Sequence, residues 1–332
     1  MHVSRPTVFH IICSQDAIPT IEEKLALFSR PAYPVRATFY PLTQDDISRR
    51  AARAGVGTSH EAGMGGLVKT FIHEVLHDVE RIIFVDTDML FLVDPALLWR
   101  EFDAMDENQM VAFPTLGPKS HSGWICTCVM ILNLKAMRER MFMPSNLLPT
   151  TPSLGSPDVW KDTGTDPYNP DYGDQGLYWA IWQGYPQHFK HLSISWDTTH
   201  CRYSYGMSLA DGDENMSEEE QVARQWDTQQ APERFKQLFP AILHFNCQNM
   251  DVVWDDDINQ RRTRWGPFVT IAIQYKWIWL NRGDGSATVQ VNTVEHPVFW
   301  DELVASASTG DVDESTKQPV HGHGHGWGGH RS

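Results

Sequence analysis

Two aspartates interrupt an apolar stretch of the sequence, and their type and spacing suggest chemistry. In RIIFVDTDMLFLVDP (residues 81–95), Asp86 and Asp88 stand between two runs of aliphatic and aromatic side chains. Two like charges buried this close together are costly unless a positive group neutralises them. Paired carboxylates provide the hard oxygen ligands that Mg²⁺ and Mn²⁺ prefer. The pattern therefore predicts a divalent-metal site, with a solvated turn at a strand end as the alternative.

The elements that must position the two aspartates follow from hydrophobic periodicity. Short β-branched segments predict strands at residues 8–13, 35–40, 82–85, 109–114 and 128–134. Amphipathic segments predict helices at 19–29, 67–76 and 96–102, and the glycine-rich segment 54–66 predicts a loop. If Asp86 and Asp88 continue a strand, side-chain alternation places both on one face and Thr87 on the other.

Strands that alternate with helices predict an α/β fold with a mostly parallel central sheet covered on both faces. Ligands of such sheets bind at the carboxyl ends of the strands, which is where Asp86 and Asp88 come. The 332 residues suffice for one large domain, which we place at residues 1–304. The remaining residues, 305–332, are small and polar, finish in HGHGHGWGGHRS, and predict a disordered tail.

The composition is acidic and excludes several functions. Lys and Arg total 27 against 42 Asp and Glu, a formal net charge of −15. Because binding to nucleic acid or anionic membranes needs clustered basic residues, neither partner is expected. No apolar run reaches the roughly 18 residues of a membrane span. The N-terminus lacks the organisation of a signal peptide, which predicts a cytoplasmic protein if the chain is complete as given.

The five cysteines are too few and too scattered for a disulfide framework. Cys126-Thr127-Cys128 has C-x-C spacing, which is not that of a zinc finger without a second pair. Buried core thiols are therefore expected here in preference to a metal or redox site.

Four segments resemble, in order, the characteristic blocks of glycosyltransferase family 8. RIIFVDTDMLFLVDPALLW (81–99) resembles the D-x-D block, and VMILNLKAMR (129–138) is similar to the strand–helix segment that follows it. YGDQGLYWAIW (172–182) resembles the D-Q-D block, and ILHFN (242–246) resembles the late histidine motif. Each block alone is unspecific, but four blocks in the right order are a specific signal.

Between the last two blocks, WDTTHCRY (196–203) is similar to the W-N…H-C segment of the glucoside xylosyltransferase branch. The resemblance implies a single GT-A (Rossmann-like) domain and a retaining, metal-dependent glycosyltransferase. The implied reaction moves a hexosyl or pentosyl unit (xylose, glucose or galactose) from a UDP-sugar to a glycan or glycoprotein acceptor. Members of that branch usually lie in the Golgi lumen, which implies that compartment if an N-terminal anchor has been removed.

The resemblance also implies roles for individual residues. Asp86, Asp88 and His244 match the ligands of Mn²⁺ or Mg²⁺. Asp174 and Gln175 match the catalytic pair, with Asp174 on a donor-sugar hydroxyl and Gln175 beneath the anomeric carbon. The other implied nucleotide-sugar contacts are Cys13, Ser14, Lys69, Thr87 and Asn246.

Tryptophan rings offer flat apolar faces that suit pyranose rings. Most of the 13 tryptophans lie in apolar helical patterns and are expected in the core. Those in loop-like contexts are the predicted acceptor contacts, namely Trp160, Trp196 and Trp254.

The sequence departs from the family at the sugar pocket, which leaves other hypotheses open. Gly176 stands in place of a third acidic residue, and Cys126-Thr127-Cys128 replaces an Asn-x-Gly. A catalytically weak relative that binds a nucleotide-sugar or glycan is therefore a second hypothesis. A third is a phosphatase of the haloacid dehalogenase type, with WDDD (254–257) as its later acidic pair. That class carries its motif on the first strand, whereas two strands come first here, so we favour the transferase.

Overall fold

A computed structural model of the chain describes residues 4–114, 125–156, 170–199, 241–244 and 281–309. The first described range contains the predicted strands and helices, together with one additional helix and one additional short strand. Its elements are β1 (Thr7–Cys13), α1 (Ile18–Leu25), β2 (Val35–Pro41), α2 (Gln44–Ala54), α3 (Gly63–Val75), β3 (Arg81–Val85), β4 (Met89–Phe91), α4 (Pro95–Trp99) and β5 (Val111–Pro114).

The later ranges supply the rest of the sheets and the helices that cover them. These elements are β6 (Val129–Asn133), α5 (Leu134–Glu139), α6 (Gly173–Gly184), β7 (Phe189–Leu192), β8 (Thr198–Thr199), β9 (Ile242–His244), β10 (Val289–Thr293) and α7 (Trp300–Thr309). Among the described helices, none has the length and apolarity needed to cross a membrane.

The α2 helix is absent from the sequence prediction because it is mostly polar. Its start is set by a capping box in which Thr43 and Asp46 satisfy each other's backbone N–H groups. Its end is set by Gly55, whose φ of 70° is in the left-handed region. Local capping chemistry therefore bounds a helix that contains few apolar residues.

The α3 helix begins earlier than expected. The glycine-rich segment 54–66 predicts a loop up to Gly66, but the helix starts at Gly63. At the other end, the Arg138 guanidinium donates to the carbonyls of His73, Leu76 and Val79 at 2.9–3.1 Å. These carbonyls follow the last turn of α3 or lie within it, so a buried arginine satisfies acceptors that the helix leaves open.

The strands form an α/β architecture with a mostly parallel sheet, which confirms the predicted fold class. The strand order is β3-β6-β5-β7 in the four-stranded sheet, where β6 runs antiparallel to β3 and β5 while β5 and β7 are parallel. Three of these four strands therefore run in one direction. A second sheet, β1-β2-β10, is entirely parallel, and the third has the order β4-β9-β8.

The four-stranded sheet is buried on both faces, as the continuous apolar strands predict. Along β6, Met130 and Leu132 belong to one core cluster together with residues of α3 and α6. Val129 and Ile131 belong to a second cluster together with residues of α4 and β9. The alternation of side chains along one strand thus joins two separate cores.

A buried group of charges fixes α7 to α2 and α3. Arg50 donates to both oxygens of Glu74 at 2.6 and 2.8 Å. Arg53 binds Asp301 in the same bidentate way, at 2.8 and 3.0 Å, and Ser145 donates to Asp301 at 2.7 Å. The α7 helix ends at Thr309, so residues 305–309, which we assigned to the tail, are helical. The rest of the predicted tail lies outside the described residues.

Replacing Glu74 with alanine removes the bidentate partner of a fully buried guanidinium. We expect the free energy of unfolding to fall by about 3 kcal/mol, because Arg50 then keeps only the more distant Asp301, 3.3 Å away. Urea denaturation measures the loss. The control is Glu80→Ala, whose carboxylate pairs with Lys135 at the surface and contributes at most about 1 kcal/mol. Equally small losses in both variants would contradict the role given to the buried pair.

Candidate functional site

The two aspartates of the D-x-D sequence lie in a turn between two strands. β3 ends at Val85 and β4 begins at Met89, so the strand ends where the sequence predicts, and the side-chain alternation considered for a continued strand does not apply. The strand ends because the chain passes from one sheet to another, since β3 pairs with β6 and β4 pairs with β9. Asp86 and Asp88 are half-buried at this junction, and Thr87 between them is exposed.

Strand register brings His244 to this turn. In the antiparallel pair of β4 and β9, Met89 lies opposite His244, and Nε2 of His244 is 3.5 Å from Oδ2 of Asp88. One potential ligand atom from each of Asp86, Asp88 and His244 lies within 4.8 Å of the other two. The structure thus brings together the three residues that the resemblance assigns to the metal. Two carboxylates and an imidazole suit a divalent cation that accepts oxygen and nitrogen, such as Mn²⁺.

Asp197 contacts the other ring nitrogen of His244. Its Oδ1 is 2.9 Å from Nδ1, and both side chains are buried. Burial alone lowers the pKa of His244, but the carboxylates of Asp197 and Asp88 outweigh it and raise that pKa to about 9. The ring is therefore an imidazolium at neutral pH. Burial raises the pKa of Asp88, but the hydrogen bond from His244 and other groups bring it below its usual value.

The ammonium group of Lys69 links the D-x-D turn to α6. Its Nζ is 2.9 Å from Oδ1 of Asp86 and 3.6 Å from Oδ2 of Asp174. Burial lowers the pKa of Lys69, but Asp174 and Asp86 together raise it above its ordinary value. Burial raises the pKa of Asp86, and Lys69 opposes this only in part. The ammonium group therefore neutralises carboxylates from two different elements.

Asp174 is buried in the first turn of α6. The helix begins at Gly173, whose φ of 56° is in the left-handed region that favours glycine. Oδ2 of Asp174 accepts a hydrogen bond of 2.6 Å from Oγ1 of Thr127. Tyr178 donates to the backbone carbonyl of Lys69 at 3.1 Å, which holds α6 against α3. The position of Asp174 is thus set by backbone geometry and by contacts with two neighbouring elements.

Cys126 and Cys128 are joined in a disulfide, with their Cα atoms 5.3 Å apart. Both are buried, as expected, but the prediction of free core thiols was wrong. The chain bends at Thr127 and Cys128 before β6 begins, which brings side chains two residues apart together. The carbonyl of Cys128 also accepts a 2.9 Å hydrogen bond from the backbone N–H of Asp86. The disulfide therefore lies directly beside the D-x-D turn.

The other residues that the sequence analysis assigned to the site lie in several different parts of the structure. Cys13 ends β1 and Ser14 follows it, while Gln175 lies beside Asp174 in α6. Trp196 is only 8% exposed and packs in the second core cluster, so it offers no free ring face and is removed from the acceptor candidates. Outside the described residues lie Trp160, Asn246, Trp254 and the acidic pair of the phosphatase hypothesis.

Two residues of the site were missed by sequence reasoning. Asp197 belongs to the WDTTHCRY segment, where the related branch has asparagine, and that acidic replacement was an available signal. Thr127 lies between Cys126 and Cys128, and the sequence analysis considered only the two cysteines. Nothing in the sequence pairs Thr127 with Asp174, because the contact joins residues 47 positions apart.

Comparisons with known proteins find similar solved structures but no similar sequence. No protein-family model and no curated protein matches the sequence. Mouse xyloside xylosyltransferase 1 is 16% identical, with 73% of this chain and 99% of that chain covered and a TM-score of 0.47. The bifunctional glycosyltransferase WbbM is 12% identical, with 80% of this chain and 51% of that chain covered and a TM-score of 0.40.

A third solved structure is the glycosyltransferase GlyE of Streptococcus pneumoniae TIGR4. It is 12% identical to this chain, with 83% of this chain and 63% of that one covered and a TM-score of 0.40. The chain thus spans about half to two-thirds of the length of WbbM and GlyE. At these identities and TM-scores, none of the three likenesses carries an argument about activity.

We expect the ring of His244 to titrate near pH 9 in the metal-free protein, measured by NMR of its ring protons. Asp197→Asn removes one of the two carboxylates and moves the pKa toward 6.5. Because the folded-state pKa is the higher one, the stabilisation of about 3 kcal/mol is complete below pH 6.5 and is lost as the pH rises through 9. An unchanged pKa in Asp197→Asn would contradict the proposed contact.

Proposed function

We propose that this chain is a metal-dependent, retaining glycosyltransferase of family 8 that uses a UDP-sugar donor. The observation that carries the proposal is the convergence of Asp86, Asp88 and His244 at one point, with Lys69 joining Asp86 to Asp174. A UDP-sugar donor needs a divalent cation to bind its diphosphate and a carboxylate to bind a hydroxyl group of its sugar. The acceptor we propose is a glycan or glycoprotein.

The charges in this group favour a divalent cation. They belong to Asp86, Asp88, Asp174, Asp197, Lys69 and His244. Four carboxylates against one ammonium and one imidazolium leave a formal excess of two negative charges (4 − 2 = 2). Buried or half-buried charge of one sign is costly unless it is neutralised. The donor set therefore fits Mn²⁺ or Mg²⁺ held by Asp86, Asp88 and His244.

When bound, the cation would supply Lewis-acid stabilisation of the diphosphate charge on the departing UDP. The chain's own residues position the reactants around that charge. Asp197 keeps the proton of His244 on Nδ1, so that Nε2 faces the D-x-D turn as a ligand. Lys69 brings a fixed positive charge to the same turn. Asp174 accepts a hydrogen bond from a donor-sugar hydroxyl, and Lys69 and Thr127 hold its carboxylate in place.

Gln175 is the residue that we place beneath the anomeric carbon. An amide is a poor nucleophile, which disfavours a covalent glycosyl–enzyme intermediate. Attack by the acceptor on the same face as the leaving group, assisted by a phosphate oxygen, therefore accounts better for retention of configuration. The donor sugar that we propose is a hexosyl or pentosyl unit, with xylose, glucose and galactose as the candidates.

The catalytically weak relative is the second candidate, and one contact favours it. Thr127 already donates a 2.6 Å hydrogen bond to Asp174, and the flanking disulfide stands where the family has an asparagine. A carboxylate engaged in this way has less capacity left for a sugar hydroxyl. UDP binding without sugar transfer or donor hydrolysis would support this candidate over the enzyme.

We expect Asp88→Ala to abolish the Mn²⁺-dependent release of UDP from UDP-sugars. The carboxylate is a proposed metal ligand, and the expected loss of kcat/KM is on the order of 100-fold or more. A panel of UDP-xylose, UDP-glucose and UDP-galactose with a UDP-detection assay measures it without knowledge of the acceptor. Asp103→Ala, at an exposed aspartate away from the turn, should leave turnover unchanged. Turnover that persists without metal and in Asp88→Ala would overturn the proposal.

Asp174→Asn separates sugar binding from nucleotide binding. Because the charged hydrogen bond to the sugar is lost, we expect turnover to fall about 10- to 100-fold. The affinity for UDP in the presence of Mn²⁺ should stay within about twofold, as measured by calorimetry. Asp103→Asn is the matched control. A parallel loss of UDP affinity and turnover would show that Asp174 supports the nucleotide site and not the sugar.

A further inference from the structure

A second set of metal-ligand atoms lies on the Asp197 side of His244. One potential ligand atom from each of Cys126, Cys128, Asp197 and His244 lies within 4.8 Å of the other three, and all four residues are buried. This set shares only His244 with the D-x-D group. The proposed transfer reaction makes no use of the two sulfur atoms.

The donor chemistry of the second set differs from that of the D-x-D turn. Two thiolates, one imidazole and one carboxylate are the ligands of a tetrahedral Zn²⁺ site, whereas Asp86 and Asp88 favour a harder cation. We propose that Cys126, Cys128, Asp197 and His244 bind one Zn²⁺ when the two cysteines are reduced. The site does not depend on the proposed transferase activity.

The four ligands come from segments that the fold already holds together. Cys128 immediately precedes β6, and its Sγ is 3.5 Å from Oδ2 of Asp197. The other oxygen of Asp197 is 2.9 Å from Nδ1 of His244 at the end of β9. Cys126 is held beside Cys128 by a 3.2 Å contact between its Sγ and the backbone N–H of Cys128. Once the disulfide is reduced, the two sulfurs must move apart to share a cation, whereas the carboxylate of Asp197 and the ring of His244 already lie within reach of it.

The oxidation state of the cysteine pair decides whether the site exists. In the disulfide the sulfurs are not thiolates and cannot serve as anionic ligands. A dithiol reductant opens it by thiol–disulfide exchange: two electrons and two protons pass to the cysteines, and the reductant becomes a disulfide. Binding of Zn²⁺ then displaces the two thiol protons and the proton on Nδ1 of His244, three protons in all. Reduction creates the site, and reoxidation removes it.

Zn²⁺ at this site would change what His244 can do at the D-x-D turn. Nδ1 is the ring nitrogen that faces Asp197, and Nε2 faces Asp88. A neutral imidazole carries one proton, so a metal on Nδ1 leaves that proton on Nε2. Nε2 is then a donor and no longer a metal ligand. Zn²⁺ in the reduced protein should therefore compete with metal binding at Asp86 and Asp88, and this consequence alone rests on the proposed function.

The test uses Co²⁺ as a spectroscopic substitute for Zn²⁺ in the full chain. The background variant carries Cys13→Ser, Cys201→Ser and Cys247→Ser, so that Cys126 and Cys128 are its only cysteines. We expect the reduced protein to show a sulfur-to-cobalt charge-transfer band that saturates at one Co²⁺ per chain and disappears when Zn²⁺ is added. Histidines of the HGHGHGWGGHRS segment cannot give this band, because they hold no sulfur.

The same polypeptide in its oxidised form is the control for folding. The disulfide form should give no band, and reduction should restore it. Cys126→Ser combined with Cys128→Ser should abolish the band under reducing conditions. Absence of the band in the reduced protein, or a band that survives in the double variant, would overturn the proposal. UDP release is measured separately, so a failed transferase assay leaves the result on the Zn²⁺ site intact.

Discussion

The imidazole of His244 between two carboxylates is the interaction on which the rest of the site depends. Asp197 lies at Nδ1 and Asp88 at Nε2, and the two together overcome the cost of burying a positive ring. Pairing of β4 with β9 fixes this arrangement, because it sets His244 opposite the residue that follows Asp88. A proton therefore occupies the metal-free site as its local counter-charge. A cation that binds Nε2 must displace that proton.

The segment Cys126-Thr127-Cys128 connects both halves of the site. Thr127 donates to Asp174, and the carbonyl of Cys128 accepts from the backbone of Asp86. The sulfur of Cys128 approaches Asp197, which in turn holds His244. The same short segment therefore contacts Asp174 on one side and the group of Asp86, Asp197 and His244 on the other. In the proposed Zn²⁺ site, the redox state of the two cysteines decides which ligands surround Asp197 and His244.

Much of the fold followed from the sequence because local signals agree with the global packing. The apolar strands around β3 and the amphipathic face of α3 carry their own periodicity, so their positions were predicted to within a few residues. The polar α2 helix was not, since its boundaries depend on a capping box and a left-handed Gly55. The strand end before Asp86 was predicted, but the change of sheet between β3 and β4 was not, because no local signal marks it.

Only part of the candidate site could be predicted from the sequence. The grouping of Asp86, Asp88 and His244 was inferred from the order of the motifs. The contacts that hold these residues, such as that of Asp197 with His244, join positions far apart in the sequence and carry no local signal.

The most direct test of the proposed metal site is electron spin-echo spectroscopy of the protein with Mn²⁺ and UDP under non-reducing conditions. We predict nitrogen coupling of a directly bound imidazole that disappears in His244→Ala. Mn²⁺ bound with UDP but without nitrogen coupling in the wild-type protein would contradict the account.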